Sequence, residues 1–344
     1  MRTKDDLRQY QALPLDLKIS LTQRRIRDWV NYWGTNGVYV SFSGGKDSTV
    51  LLHMVREMFP EVEAVFVNTG LEYPEIQQFV KSFDNVTILR PKIRFDEVIK
   101  TYGYPIISKS VANCIRLAKG GSPYRLKRIR GEVMMENGKK SWHNTDKYAP
   151  IMSCDFEVSE QCCDVMKKNP TKEFEKRTGK KPFIATMAQE SLLRTKNWLA
   201  FGCNAFDSTR PKSQPMSFWT EQDVLQYIKK YSVPIASVYG DVVYETEPDQ
   251  MRVEEYGIEN CGTEPLCTTG CDRTGCIFCA FGAHLENESR FERLKQTHPR
   301  QYEYCIGGGE YDENGVWKPN KQGLGMGHVF DEMNKIYGDD FIKY

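Results

Sequence analysis

Two groups of residues in this chain have side chains and spacings that could do chemistry. The first is Ser43-Gly44-Gly45-Lys46-Asp47-Ser48, which follows the apolar run Val38–Phe42 and leads straight into a helical pattern. A strand, a Gly-rich turn and a helix start bring unpaired N–H groups and the positive end of the helix dipole to one spot, where an anion binds. Gly44 and Gly45 let the backbone approach that anion closely, Lys46 adds a point charge, and Ser43 and Ser48 add hydroxyls. Asp47 is placed either to complement the dipole or to contact Mg²⁺. The G-x-x-x-x-G-K-[ST] spacing of a Walker loop is absent.

The second group is the cysteines, eleven in number and clustered. With an odd count and no export signal, metal is a better reading than a disulfide framework. Cys276 and Cys279 form a C-x-x-C pair suited to zinc or an iron–sulfur cluster, and Cys162 and Cys163 are adjacent. Neighbouring side chains diverge, so two adjacent thiolates reach two corners of a cubane more readily than one metal ion. At a helix start they also gain from the dipole. The combination favours a [4Fe–4S] cluster. The competing reading is a Zn²⁺ site made locally from Cys261, Cys267, Cys271, Cys276 and Cys279.

Short apolar strands alternate with helical patterns through the first half of the chain. Residues 15–34 read as an amphipathic helix, with Ile26, Trp29, Val30 and Trp33 on one face. Strands are expected at 38–42, 62–67, 86–89 and 182–187, and helices at 47–58, 74–83, 159–168, 189–201 and 221–231, the last with a capping-box start at Thr220. This alternation predicts an α/β fold with an open, twisted, doubly wound parallel sheet, whose ligands sit beyond the C-terminal strand ends. The Gly-rich loop and Asn68-Thr69-Gly70 both fall at that edge. Three regions are expected: an N-terminal helical segment 1–36, a nucleotide-binding domain 37–244 with an insertion at 103–150, and a Cys-rich region 245–344 with one clear helix near 290–295.

Net charge is +1, so a polyanion partner would need a local patch. The most basic stretch, Arg125–Arg130, reads as a solvated strand face in preference to a nucleic-acid contact. The first ten residues are polar and charged, and no apolar run nears the roughly 20 residues that span a bilayer, so a soluble, cytoplasmic protein without membrane contact is expected.

These motifs resemble those of the phosphoadenosine phosphosulfate reductase family, within the adenine-nucleotide alpha-hydrolase-like superfamily. Ser43–Ser48 looks like its pyrophosphate loop. Asn68-Thr69-Gly70-Leu71-Glu72 looks like its second strand-end motif. Cys162-Cys163 with Cys276-x-x-Cys279 is similar to the cluster ligands of adenylyl-sulfate reductases. Ala188-Gln189-Glu190-Ser191 with Arg194, and Ser217–Val224, match further positions. The resemblance implies an adenine nucleotide at Ser43–Ser48, flanked by Asn68, Thr69, Gly70, Glu72, Glu190 and Arg194. It also implies a [4Fe–4S] cluster on Cys162, Cys163, Cys276 and Cys279. Two departures stand out. The C-terminal cysteine segment of sulfonucleotide reductases is missing, leaving Cys305 as the last candidate nucleophile. Lys46 is retained, as in members that cleave ATP between its α- and β-phosphates, including DNA phosphorothioation enzymes.

Three functions follow as expectations. The first is an ATP pyrophosphatase, acting with Mg²⁺ and Lys46 and coupled to sulfur transfer from a donor protein to a nucleic acid or small acceptor. The second is a sulfonucleotide reductase, in which Cys305 attacks an adenylyl sulfonucleotide and thioredoxin releases sulfite. The third is a non-catalytic module that senses nucleotide and cluster.

Overall fold

The computed structural model describes residues 2–245 and 265–344. These form two compact units that interleave along the chain. Unit one comprises 1–68, 72–89 and 171–274, and unit two comprises 69–71, 90–170 and 275–344. The sequential boundaries expected at 36/37 and 244/245 are not where the chain divides. The reason is that 90–170 packs with the distant segment 275–344, and linear pattern does not encode such a pairing. Among the described residues no helix is long and apolar enough to cross a membrane.

Unit one is built on a six-stranded sheet, ordered Val86–Leu89, Ala64–Val67, Val38–Ser41, Lys181–Ile184, Lys212–Ser213, Asn204–Ala205. Every pairing is parallel except the last. The fold is therefore α/β with a mainly parallel sheet of the adenine-nucleotide alpha-hydrolase type. Val38, Tyr39 and Val40 are buried, as the unbroken apolar run requires of a strand covered on both faces. Helix Leu15–Trp33 lays Ile19, Ile26, Trp29 and Val30 into the core. Each such large apolar side chain contributes about 1.5–3 kcal/mol of burial. Lys18 on the same helix is 2% exposed and meets Asp223 at 2.6 Å, fastening the N-terminal helix to helix Glu221–Tyr231. That helix starts with the expected capping box, Thr220 and Asp223 bonding reciprocally.

Unit two departs further from the sequence pattern. The 103–150 region folds into helices Lys109–Lys119 and Pro123–Arg130, packed on each other and on the short turn Asp146–Ser153. Arg125–Arg130 is thus helical, not a strand face. Pro123 at the first helical turn and Gly131 in the left-handed region after the last set its ends. Beyond Gly275 there are three helices where one was expected: Arg290–Thr297, Pro299–Ile306 and Met326–Tyr337. The last buries Val329, Phe330 and Met333, though five of its residues are polar or charged.

Candidate functional site

The loop after strand Val38–Ser41 builds the first site from short-range bonds. Gly44 takes φ +73°, and a Cβ there would meet Ile76 Cγ2 at 2.8 Å and Val80 Cγ2 at 2.9 Å, so only glycine fits. Ser43 N–H donates to Ser48 Oγ at 3.1 Å, and Ser48 Oγ donates to the Gly45 carbonyl at 3.0 Å. These bonds pin the turn onto helix Lys46–Met58, whose N-cap residue, Gly45, has no side chain to cap it. The Lys46 side chain is 6% exposed. Its ammonium meets Glu221 Oε1 at 3.1 Å and lies 5.4 Å from the centre of the Tyr239 ring. Tyr239 OH accepts from Lys46 N–H at 3.3 Å and bonds Thr274.

Burial pushes the Asp47 carboxyl up; Lys46 opposes this, and Glu221 adds to it. Arg194 forms an ion pair with Glu190, and Arg273 reaches Glu190 Oε1 at 3.9 Å. Burial, followed by the Arg273 charge, lowers the Arg194 guanidinium. The start of this helix thus sits among Lys46, Arg194 and Arg273, with Asp47, Glu190 and Glu221 as counter-charges. This distribution suits a polyphosphate with a cation. Asn68, at the end of its strand, donates its N–H to the Leu89 carbonyl at 2.9 Å, and Glu72 is buried. Glu221, Tyr239 and Arg273 were not singled out by sequence reasoning. Glu221 lay inside a matched motif, whereas nothing local marks Tyr239 or Arg273.

The second site lies wholly within unit two. Cys162, Cys163, Cys276 and Cys279 line one cavity, whose other walls include Leu71, Phe95, Pro105 and Met166. Cys162 and Cys163 open a helix that widens at once into a π turn, Asp164–Lys168, closed by Asn169 N–H to the Asp164 carbonyl. Pro170 has no N–H to give the Met166 carbonyl, and the wide turn just before it accommodates that loss. Cys279 N–H donates to the Cys276 carbonyl at 3.0 Å, and Arg290 donates to the Cys279 carbonyl at 2.8 Å.

Bonding to Cys162 draws the Cys163 thiol down against burial, helped by Lys109; the same bond, with burial, pushes Cys162 up. Lys109, the first residue of its helix, brings its positive charge to bear on the Cys163 thiol. Burial pushes the Cys279 thiol up. Among the described residues no three His, Cys, Asp or Glu side chains close on one ion position. Four sulfur donors in two pairs, against apolar walls, are a chemically suitable set for an iron–sulfur cubane. The enclosed room is about 20 Å³, and about 300 Å³ with the open mouth, so the thiols must turn outward to admit a group of that size.

Thr69 and Gly70 belong to unit two. Thr69 Oγ1 accepts from Leu71 N–H at 3.2 Å, and Gly70 takes φ +74°. Cys267 is half-buried on strand Leu266–Thr268, and Cys271 is buried with its N–H on the Val238 carbonyl at 2.9 Å. Both lie in unit one; Cys261 lies outside the described residues. Cys305 is fully buried on helix Pro299–Ile306, beside the Met326 sulfur at 3.6 Å, and burial raises its thiol. It is a packed thiol, and the glycines after it do not free it.

The sheet and the Gly-rich loop at its edge define a mainly parallel α/β class of protein. The sequence model of the phosphoadenosine phosphosulfate reductase domain matches residues 37–120 and 124–281, and the chain belongs to that family. Adenosine 5′-phosphosulfate reductases of Bacillus cereus and Bacillus thuringiensis are 25% identical over 100 residues, 27% of this chain and 43% of theirs. An uncharacterised Methanocaldococcus jannaschii protein is 36% identical over 73 residues, 20% of this chain and 18% of its own. The chain therefore matches less than half the length of these relatives. Among solved structures, a phosphoadenylyl-sulfate reductase from Candida auris gives a TM-score of 0.38 at 15% identity, covering 72% of this chain and 96% of the other. The U34-tRNA thiolase NcsA from Methanococcus maripaludis, with its [4Fe-4S] cluster, gives 0.31 at 14%, covering 70% and 71%.

Proposed function

We propose that the protein binds Mg²⁺–ATP at Ser43–Ser48 and cleaves it at the α-phosphate in the course of sulfur transfer. The observation carrying this reading is the Lys46 ammonium, withdrawn from solvent at the start of the helix and held by one half-exposed carboxylate, Glu221. A triphosphate entering there exchanges Glu221 for phosphate oxygens. The positive end of the helix and Lys46 then stabilise charge on the departing pyrophosphate. Asp47, buried one residue further on, is the candidate Mg²⁺ contact. Glu190 orients Arg194 toward the same end of the helix. An acceptor oxygen bonds to the α-phosphorus, the bond to the β-phosphate oxygen breaks, and pyrophosphate leaves. A sulfide-level sulfur from the donor protein then bonds to the acceptor carbon, the carbon–oxygen bond breaks, and AMP departs with that oxygen.

Cys162, Cys163, Cys276 and Cys279 are the residues to hold a [4Fe–4S] cluster, which supplies sulfur or electron relay when bound. The Lys109 charge acts on the Cys163 sulfur and offsets part of the negative charge of the thiolates. Sulfonucleotide reduction through Cys305 gains no support from a thiol buried within a helix. The test is anaerobic incubation of the cluster-loaded protein with α-labelled ATP, inorganic sulfide and candidate acceptors. AMP and pyrophosphate in equal amounts are expected, lost in Lys46→Met and kept in Cys305→Ser. Absence of both products with every acceptor, or loss of turnover in Cys305→Ser, overturns the reading.

A further inference from the structure

We propose that the helical insertion of unit two is a docking surface for single-stranded nucleic acid, with Trp142 as a base-stacking platform. Residues 109–147 hold ten lysines and arginines against three acids, a net of +7 in a chain whose total is +1. Helix Pro123–Arg130 carries Arg125, Lys127, Arg128 and Arg130 and no acid. A solvated helix face normally relieves such crowding with acids one turn away, and here none is present. Arg128 is buried and committed to the His143 carbonyl at 2.6 Å, and Lys140 pairs with Asp146 at 2.8 Å. Lys127, Arg130 and Lys139 are exposed and make no ion pair among the described residues. The positive field is therefore available to a partner.

Aromatic groups accompany it. Trp142 is 71% exposed, with its ring 3.6 Å from that of His143, and Tyr124 is 52% exposed beside the Arg125 guanidinium. Unpaired cations interleaved with exposed flat rings fit a strand whose bases are splayed and whose phosphates lie along the charges. A single strand uses both features along one chain, its phosphates on the charges and its bases on the rings. The same module reaches the cysteine cavity. Helix Pro123–Arg130 packs on helix Lys109–Lys119, whose first residue places its charge near Cys163. That the bound strand is the sulfur acceptor rests on the function proposed above; the binding itself does not.

The test is fluorescence anisotropy of the full chain with labelled 20-nucleotide oligouridylate, oligothymidylate and a duplex of equal length, titrated with salt. Either single strand should bind more tightly than the duplex, and the RNA and DNA arms separate the two sources of the strand. Lys127→Gln/Arg130→Gln/Lys139→Gln should lower the slope of log affinity against log salt by about two. Trp142→Ala should weaken binding on the order of tenfold at unchanged slope, and Trp142→Phe should restore most of it. These residues are exposed, and an unaltered melting temperature confirms folding. Duplex binding at equal strength, an unchanged slope in the triple variant, or unchanged affinity in Trp142→Ala each overturns the proposal. Product formation from ATP without strand binding removes this surface and leaves the proposed function standing. Strand binding without adenylation does the reverse.

Discussion

The Lys46–Glu221 pair makes two substitutions act in opposite directions. Glu221 holds the Lys46 ammonium at 3.1 Å where a phosphate is expected to bind, so the carboxylate competes with the ligand. The lysine side chain is 6% exposed, but the glutamate is 44% exposed, and solvent screens the pair strongly. It is therefore placed near the upper end of exposed ion pairs, about 1 kcal/mol. Glu221→Gln removes that competition and should tighten ATP binding about fivefold. Lys46→Met removes a charge-assisted bond worth about 1.5–3 kcal/mol and should weaken ATP binding about 10- to 150-fold. Lys46→Met strands no buried charge, because the Glu221 left behind is half-exposed, whereas Glu221→Gln leaves the buried ammonium beside Asp47 and the Tyr239 ring. Calorimetric titration with a non-hydrolysable ATP analogue and Mg²⁺ measures both. Adenosine, which carries no phosphate, should bind all three proteins alike. Weaker ATP binding in Glu221→Gln, or an affinity within twofold of the parent in Lys46→Met, would refute phosphate binding at this helix end.

Anaerobically reconstituted protein should hold about four irons per chain, as a cubane does. Cys276→Ser should lose most of that iron, whereas Cys305→Ser, outside the cavity, should keep it; metal analysis on one preparation decides. Lys18→Met breaks a pair in which both side chains are at most 8% exposed and leaves Asp223 buried and unpaired. A loss of about 3–5 kcal/mol is expected, read as a lower denaturation midpoint. Burial, and then the Glu175 charge, raise the Tyr39 phenol above its ordinary value of 10.0. The native state keeps a proton that the unfolded chain releases, so this stabilisation is complete below pH 10 and declines as pH rises. The slope is about 1.4 kcal/mol per pH unit for such a group. Melting temperatures from pH 9 to 11 should therefore fall less steeply in Tyr39→Phe.

The sequence by itself determined the elements whose signals are local. The run Val38–Phe42, the glycines at 44 and 45 and the helical period after Lys46 set a strand, a Gly-rich turn and a helix start, because each depends on neighbours within a few residues. The Thr220–Asp223 cap was legible for the same reason. Helix Met326–Tyr337 and the helices of the insertion were not, since their polar and apolar residues sort into faces only once their packing partners are known. Adjacent Cys162-Cys163 and the C-x-x-C pair were visible as donors. That they line one cavity is a decision of the tertiary structure, which brings residues over a hundred positions apart into one unit. Tertiary structure alone also set Glu221 against Lys46 and buried Cys305 in its helix. Pairing across the chain depends on packing free energy summed over whole elements, and no short stretch of sequence carries that sum.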